Sequence, residues 1–134
     1  MRNYLITGVS GSGKTAVGVR LMESGYTVIQ GDDALVIPGG VGWNWDHDRM
    51  LTWAQKLGVV FFCGGADNQD EFLPLFRKVF VLDVPDAVAK QRLAGRATGP
   101  AGPKYRKIAP HANVQVIDAK RSVSAVVFDI LRGL

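Results

Sequence analysis

Residues 8–15 read Gly8-Val9-Ser10-Gly11-Ser12-Gly13-Lys14-Thr15. This stretch constrains the chain more than any other. It fits the pattern G-x-x-x-x-G-K-[ST] at every defined position. Glycines at 8, 11 and 13 leave out the Cβ atoms that would keep backbone N–H groups from turning inward around an anion. A helix beginning at the end of the loop adds unsatisfied N–H groups and the positive end of its dipole. Lys14 brings a full charge to the outer phosphates of a nucleotide, and the Thr15 hydroxyl suits Mg²⁺. The flanks agree. Tyr4-Leu5-Ile6-Thr7 reads as a buried strand, and 16–24 reads as a helix with Val17, Leu21 and Met22 on its apolar side.

The rest of the chain alternates in the same way. Gly25 ends the first helix, and 26–30 is a second strand running into Gly31-Asp32-Asp33. Residues 38–45 form a glycine-rich loop with two tryptophans. Asn44 or Asp46 caps a helix to about Leu57, with Met50, Leu51, Trp53 and Ala54 on its apolar side. The apolar run 59–63 is a third strand buried on both faces. Asp67 caps a short helix interrupted at Pro74. Residues 78–83 form a fourth strand, and Pro85 takes the first position of a helix to about Arg96. Residues 97–110, rich in Pro, Gly and basic side chains, read as a lid loop. A fifth strand at 114–117 and a helix from Ser122 to about Leu131 complete the chain. Strands alternating with helices predict a single α/β domain over 1–134, with a parallel sheet covered on both faces. The ligand crevice of such a sheet lies beyond the carboxyl ends of its strands.

Composition narrows the classes. The hydrophobic fraction of 47% is that of a globular chain, and no apolar run reaches the length of a membrane span. Met1 leads almost at once into the first strand, which predicts no targeting segment. Cys63 is the only cysteine, so no internal disulfide forms, and a cytoplasmic location is expected. The net charge of +4 suits an anionic ligand. His47 and His111 have no partners at metal-ligand or triad spacing. No apolar strand ends in paired acidic residues, which argues against an oligomeric motor.

Several stretches resemble the small P-loop kinases of the adenylate kinase, shikimate kinase and gluconokinase type. The glycine loop is similar to that of gluconokinases, as is Asp46-His47-Asp48-Arg49 with Trp53. The run Leu82-Asp83-Val84-Pro85-Asp86, followed by Arg92-Leu93-Ala94-Gly95-Arg96, resembles adenylate kinases. Trp43-Asn44-Trp45-Asp46 and Asn68-Gln69 with Phe72 resemble a group of actinobacterial kinase-like proteins. The resemblance implies a five-stranded parallel sheet in order 2-3-1-4-5. It also implies ATP with Mg²⁺ as donor, and phosphoryl transfer to a nucleotide or a small hydroxylated metabolite. Two departures stand out. The D-x-D at the end of strand two is here Gln30-Gly31-Asp32, so the carboxylate associated with Mg²⁺ is missing. Gly64-Gly65-Ala66-Asp67-Asn68-Gln69 replaces the basic acceptor segment of gluconokinases.

These readings give a set of candidate residues. Gly8, Val9, Ser10, Gly11, Ser12, Gly13, Lys14 and Thr15 hold the phosphates. Arg92 and Arg96, four apart on one helix face, stack on the base or neutralise the transferred group; a solvated helix face is the plain alternative. Asp32 orients or deprotonates the acceptor and, with Thr15, serves the metal, although Gly-Asp-Asp is also ordinary turn chemistry. Asp33, Trp43, Asn68 and Gln69 are candidate acceptor contacts. Trp43 and Trp45 serve either to stack a planar acceptor or to fill core, and Cys63 is core. A polynucleotide or DNA-base kinase would use the same loop and aspartate. A module that binds nucleotide without turnover would explain the lost aspartate.

Overall fold

The computed structural model describes residues 2–9, 11–31, 35, 37, 44–55, 58–92 and 113–134. Asp32, Asp33, Trp43, Arg96, Ser10, His111 and the 97–110 loop lie outside the described residues.

The centre of the molecule is β1 (Arg2–Gly8), buried from Asn3 onward. It pairs in parallel with β3 (Val59–Cys63) on one side and β4 (Lys78–Asp83) on the other. Outside these lie β2 (Thr27–Gln30) and β5 (Val114–Asp118), giving the parallel order β2-β3-β1-β4-β5. The order follows the expectation from the sequence. The middles of the three inner strands are apolar because helices cover both of their faces.

Alternation along each strand splits the core in two. Tyr4, Ile6, Phe61, Cys63, Phe80 and Leu82 point to the face covered by α1 (Lys14–Glu23) and α4 (Val123–Arg132), where Val17, Leu21, Val126 and Ile130 meet them. Leu5, Val60, Phe62, Val79 and Val81 point the other way. There they meet Met50 and Ala54 of α2 (His47–Ala54) and Phe72 and Leu73 of a 3₁₀ helix (Gln69–Leu75). A fourth α-helix, α3 (Asp86–Arg92), follows β4. The close fit of α1 on the sheet depends on Gly18. A Cβ there would lie 2.7 Å from the Gln30 amide nitrogen and 3.1 Å from Cys63 Sγ.

The element ends follow local chemistry. Asp46, rather than Asn44, caps α2 by accepting from the Asp48 N–H at 3.1 Å. Ser122 Oγ accepts from the Ala125 N–H at 3.2 Å and caps α4. Lys78 Nζ donates to the Gly133 carbonyl at 2.6 Å, placing a cation at the carboxyl end of α4. Three expectations shift. The segment after Asp67 is a 3₁₀ helix with Asn68, not Asp67, at the cap position, and no side chain caps it. Pro85 stands just before α3, and its carbonyl accepts from Ala89 at 3.0 Å. Leu51 of α2 and Met22 of α1 are exposed instead of apolar-packed.

Candidate functional site

The glycine loop leaves β1 at the carboxyl edge of the sheet and enters α1. Gly8 is required by its surroundings. A Cβ there would lie 2.7 Å from both the Leu82 carbonyl oxygen and Ser12 Oγ, at a φ of +157°. Gly13 stands at the cap of α1 with φ +95°, a left-handed conformation that costs other residues strain. The loop closes on itself through the Ser12 N–H to the Val9 carbonyl at 3.0 Å. No side chain caps α1, so its first N–H groups stay available to an anion. Lys14 Nζ rests 3.4 Å from the Val9 carbonyl, over the loop. Thr15 is exposed in the first turn of α1.

Arg92 is the residue that ties this loop to the rest of the edge. Its Nη1 donates to the carbonyls of Gly11 at 3.2 Å and Ser12 at 3.3 Å, and its Nη2 donates to the Ala119 carbonyl at 3.0 Å. Those two loop oxygens are thereby held by Arg92. The guanidinium fork suits three acceptors at once. Beside it lies a cavity of about 310 Å³, lined by Ser12, Gly13, Ala16 and Val17 of the loop and α1, and by Arg92, Ala119, Arg121 and Val123. Its walls are mainly small and apolar side chains between two guanidinium groups. Such a slot is large enough for a planar base attached to phosphates held in the loop. Arg121 is positioned by Asp129, which also binds Arg132 at 3.2 Å, and by the Asp118 carbonyl at 3.0 Å. Arg121 was not singled out from the sequence. Its adjacency to the Ser122 cap after an edge strand was the available signal.

On the other side of the loop the acceptor candidates are placed differently from one another. Asn68 spends both ends of its amide on the Trp45 backbone: Oδ1 accepts from the N–H at 2.9 Å, and Nδ2 donates to the carbonyl at 3.0 Å. Gln69 is fully buried, and its Oε1 accepts from the Ala66 N–H and the Thr7 hydroxyl, each at 3.4 Å. Trp45 is core, fully buried, with its ring edge-on to Phe72, so it does not stack a ligand. His47 is exposed and pairs with Glu71 at 3.0 Å. Cys63 is buried. Among the described residues no cluster of His, Cys, Asp or Glu is arranged to hold a metal, and no helix is long and apolar enough to cross a membrane.

No protein-family model matches the chain, and no curated protein sequence matches it. Solved structures do. A shikimate kinase from Aquifex aeolicus is 23% identical, with 99% of this chain and 95% of that one aligned at a TM-score of 0.63. A gluconokinase from Sinorhizobium meliloti is 21% identical over 98% of this chain and 90% of that one, with a TM-score of 0.61. A deoxyadenosine kinase from M. mycoides, solved with bound dATP, is 14% identical over 99% and 98%, with a TM-score of 0.65. The fold of this chain is that of the small P-loop kinases.

Proposed function

We propose that the protein is a phosphotransferase that moves the γ-phosphoryl group of ATP to a hydroxyl of a small acceptor. The observation that carries this reading is the joined arrangement of glycine loop, uncapped helix start, Lys14 and base-sized cavity, held together by Arg92. Gly8, Val9, Ser10, Gly11, Ser12, Gly13, Lys14 and Thr15 form the phosphate site, with Arg92 and Arg96 on its nucleotide side. The residues fit Mg²⁺ to the extent that Thr15 offers an exposed hydroxyl at the start of α1, and Asp32 completes the donor set. When bound, the metal spreads the negative charge of the phosphates. Asp32 takes the hydroxyl proton as the acceptor oxygen bonds to the γ-phosphorus, and the bridging oxygen leaves with its electron pair as ADP. Asp33, Trp43, Asn68 and Gln69 belong to the acceptor side. Of these, Asn68 acts through the Trp45 backbone it holds.

The replacement of Asp32 by Asn tests the assignment. It keeps the shape and loses the proton acceptor, so nucleotide affinity stays while turnover falls by ~10²–10⁴. A rate within about threefold of the parent would remove Asp32 as base. A second reading, a nucleotide-binding module without turnover, is favoured by Gln30. This residue stands where the related kinases carry the metal-associated aspartate, and its amide packs against Gly18 of α1. ATP binding that depends on Lys14, with no transfer to any acceptor, would decide for it.

A further inference from the structure

The turn between β5 and α4 is pinned at Arg121. Its Nε donates to the Asp118 carbonyl at 3.0 Å, and its Nη2 donates to Oδ2 of Asp129 on α4. The other oxygen of Asp129 accepts from Arg132 at 3.2 Å. One carboxylate thus serves two guanidinium groups, and the trio keeps a net positive charge. Arg121 lines the cavity beside the glycine loop. Its side chain is 37% exposed and that of Asp129 is 20% exposed. An ion pair this near the surface adds little to stability. What it does is hold a long side chain in one place, so that its rotamers are already restricted when a ligand arrives.

Both arginines of this cavity have their in-plane donors engaged by the protein. Arg92 gives Nη1 to the Gly11 and Ser12 carbonyls and Nη2 to the Ala119 carbonyl. Arg121 gives Nε and Nη2 as described. A guanidinium carries all its N–H donors in one plane. With those edges engaged, the flat face is what each arginine chiefly offers a ligand. Such a face stacks on aromatic rings and on nucleobases. Polar groups of the walls between them are engaged as well. The Ala119 N–H donates to the Asp83 carbonyl at 2.8 Å. Ser122 Oγ accepts from Ala125, and the Ser122 carbonyl accepts from Val126 at 3.1 Å. The Gly13 carbonyl accepts from Val17 at 3.0 Å. A slot of this kind suits a flat aromatic group, and the glycine loop at its end suits an anion. A nucleoside triphosphate has both parts.

We propose that Arg121 is a nucleotide-binding residue that meets the base with its face, and that Asp129 is the residue that positions it. Arg92 and Arg121 then reach the base from α3 and from the turn before α4. Asp129 touches no ligand and acts through Arg121. The inference rests on the reading of the glycine loop as the nucleotide site.

The test is titration calorimetry of the full chain with ATP and, separately, with tripolyphosphate, which has the anion and no base. Arg121→Ala lowers the affinity for ATP about tenfold and leaves that for tripolyphosphate within about twofold at physiological salt. Asp129→Asn keeps the shape, loses the charge that holds Arg121, and lowers ATP affinity about threefold with the same selectivity. In the Arg121→Ala background, Asp129→Asn has no further effect on ATP. Arg121→Lys does not restore the affinity, because an ammonium has no plane. A plain surface ion pair would move the melting temperature without separating the two ligands. Unchanged ATP affinity in Arg121→Ala, with Lys14-dependent binding in the parent, overturns the inference and leaves the nucleotide site standing. Equal losses for ATP and tripolyphosphate, or full recovery with lysine, overturn it too, since charge alone would then explain the effect. A loss from Asp129→Asn that persists without Arg121 removes Asp129 as the positioning residue. If ATP binding does not depend on Lys14 at all, the loop falls as the nucleotide site and this inference falls with it.

Discussion

The two faces of the sheet are built to different standards. On the α1 and α4 face, two ten-residue helices lie on the strands, Ser122 caps one start, and Lys78 closes one end. The opposite face is covered by an eight-residue helix and a seven-residue 3₁₀ helix. It holds three of the four unpaired buried side-chain atoms found among the described residues: Asn3 Oδ1, Trp45 Nε1 and Gln69 Nε2. The cavity beside Arg92 belongs to the first face, and Trp45, held by Asn68, belongs to the second. The difference teaches where each kind of specificity resides. On the proposed reading, the nucleotide is served by the more regular scaffold, and the acceptor by short elements with more unpaired buried polar atoms.

The contrast breaks most visibly at Gly8. Gly8→Ala drives a Cβ into the Leu82 carbonyl at 2.7 Å. We expect a loss of about 1–3 kcal/mol of stability together with loss of nucleotide binding, checked by chemical denaturation and calorimetry. Lys14→Ala comes next, lowering ATP affinity by ~1.5–3 kcal/mol without moving the melting temperature. Equal affinity in both proteins would remove the loop as the nucleotide site. Arg92→Ala frees three carbonyls on the scaffold side, with an expected cost of about 1 kcal/mol in nucleotide affinity. Arg92→Lys should not restore it, because a single ammonium cannot reproduce the fork; full recovery in titrations with the Lys variant would show that charge alone matters. The smallest effects compare the two faces directly. Ser122→Ala loses a cap worth ~1 kcal/mol. Trp45→Phe removes a donor that has no partner among the described residues, and is expected to leave the unfolding free energy within about 0.5 kcal/mol or to raise it. A large loss from Trp45→Phe in the protein without ligands would mean that the indole is satisfied, and the contrast would fall.

Much of the first face was legible in the sequence and less of the second. The bounds of β3 follow from an unbroken apolar run ended by Gly64, and those of β4 from the apolar run 79–82 held between Lys78 and Asp83. The Ser122 cap is a local signal, readable without any partner. The 3₁₀ helix was harder. Pro74 removes a backbone donor from the middle of the segment, and the tighter helix tolerates this over a short length. The role of Asn68 was not readable at all, because its partner is the backbone of Trp45, 23 positions away. The spacing of Arg92 and Arg96 predicts a base or phosphoryl contact for either one. The bonds of Arg92 to Gly11 and Ser12 span about eighty positions and arise only once α3 has been placed against the loop.

The strand order has a consequence for how the chain is made. β1 is synthesised before the other four strands, yet it lies in the middle of the finished sheet. One of its edges waits for Val59–Cys63 and the other for Lys78–Asp83. Until Asp83 has been synthesised, a nascent chain carries an apolar strand with an open edge, the kind of surface that pairs with a neighbouring polypeptide. The glycine loop gains the Leu82 wall behind Gly8 only at that same moment.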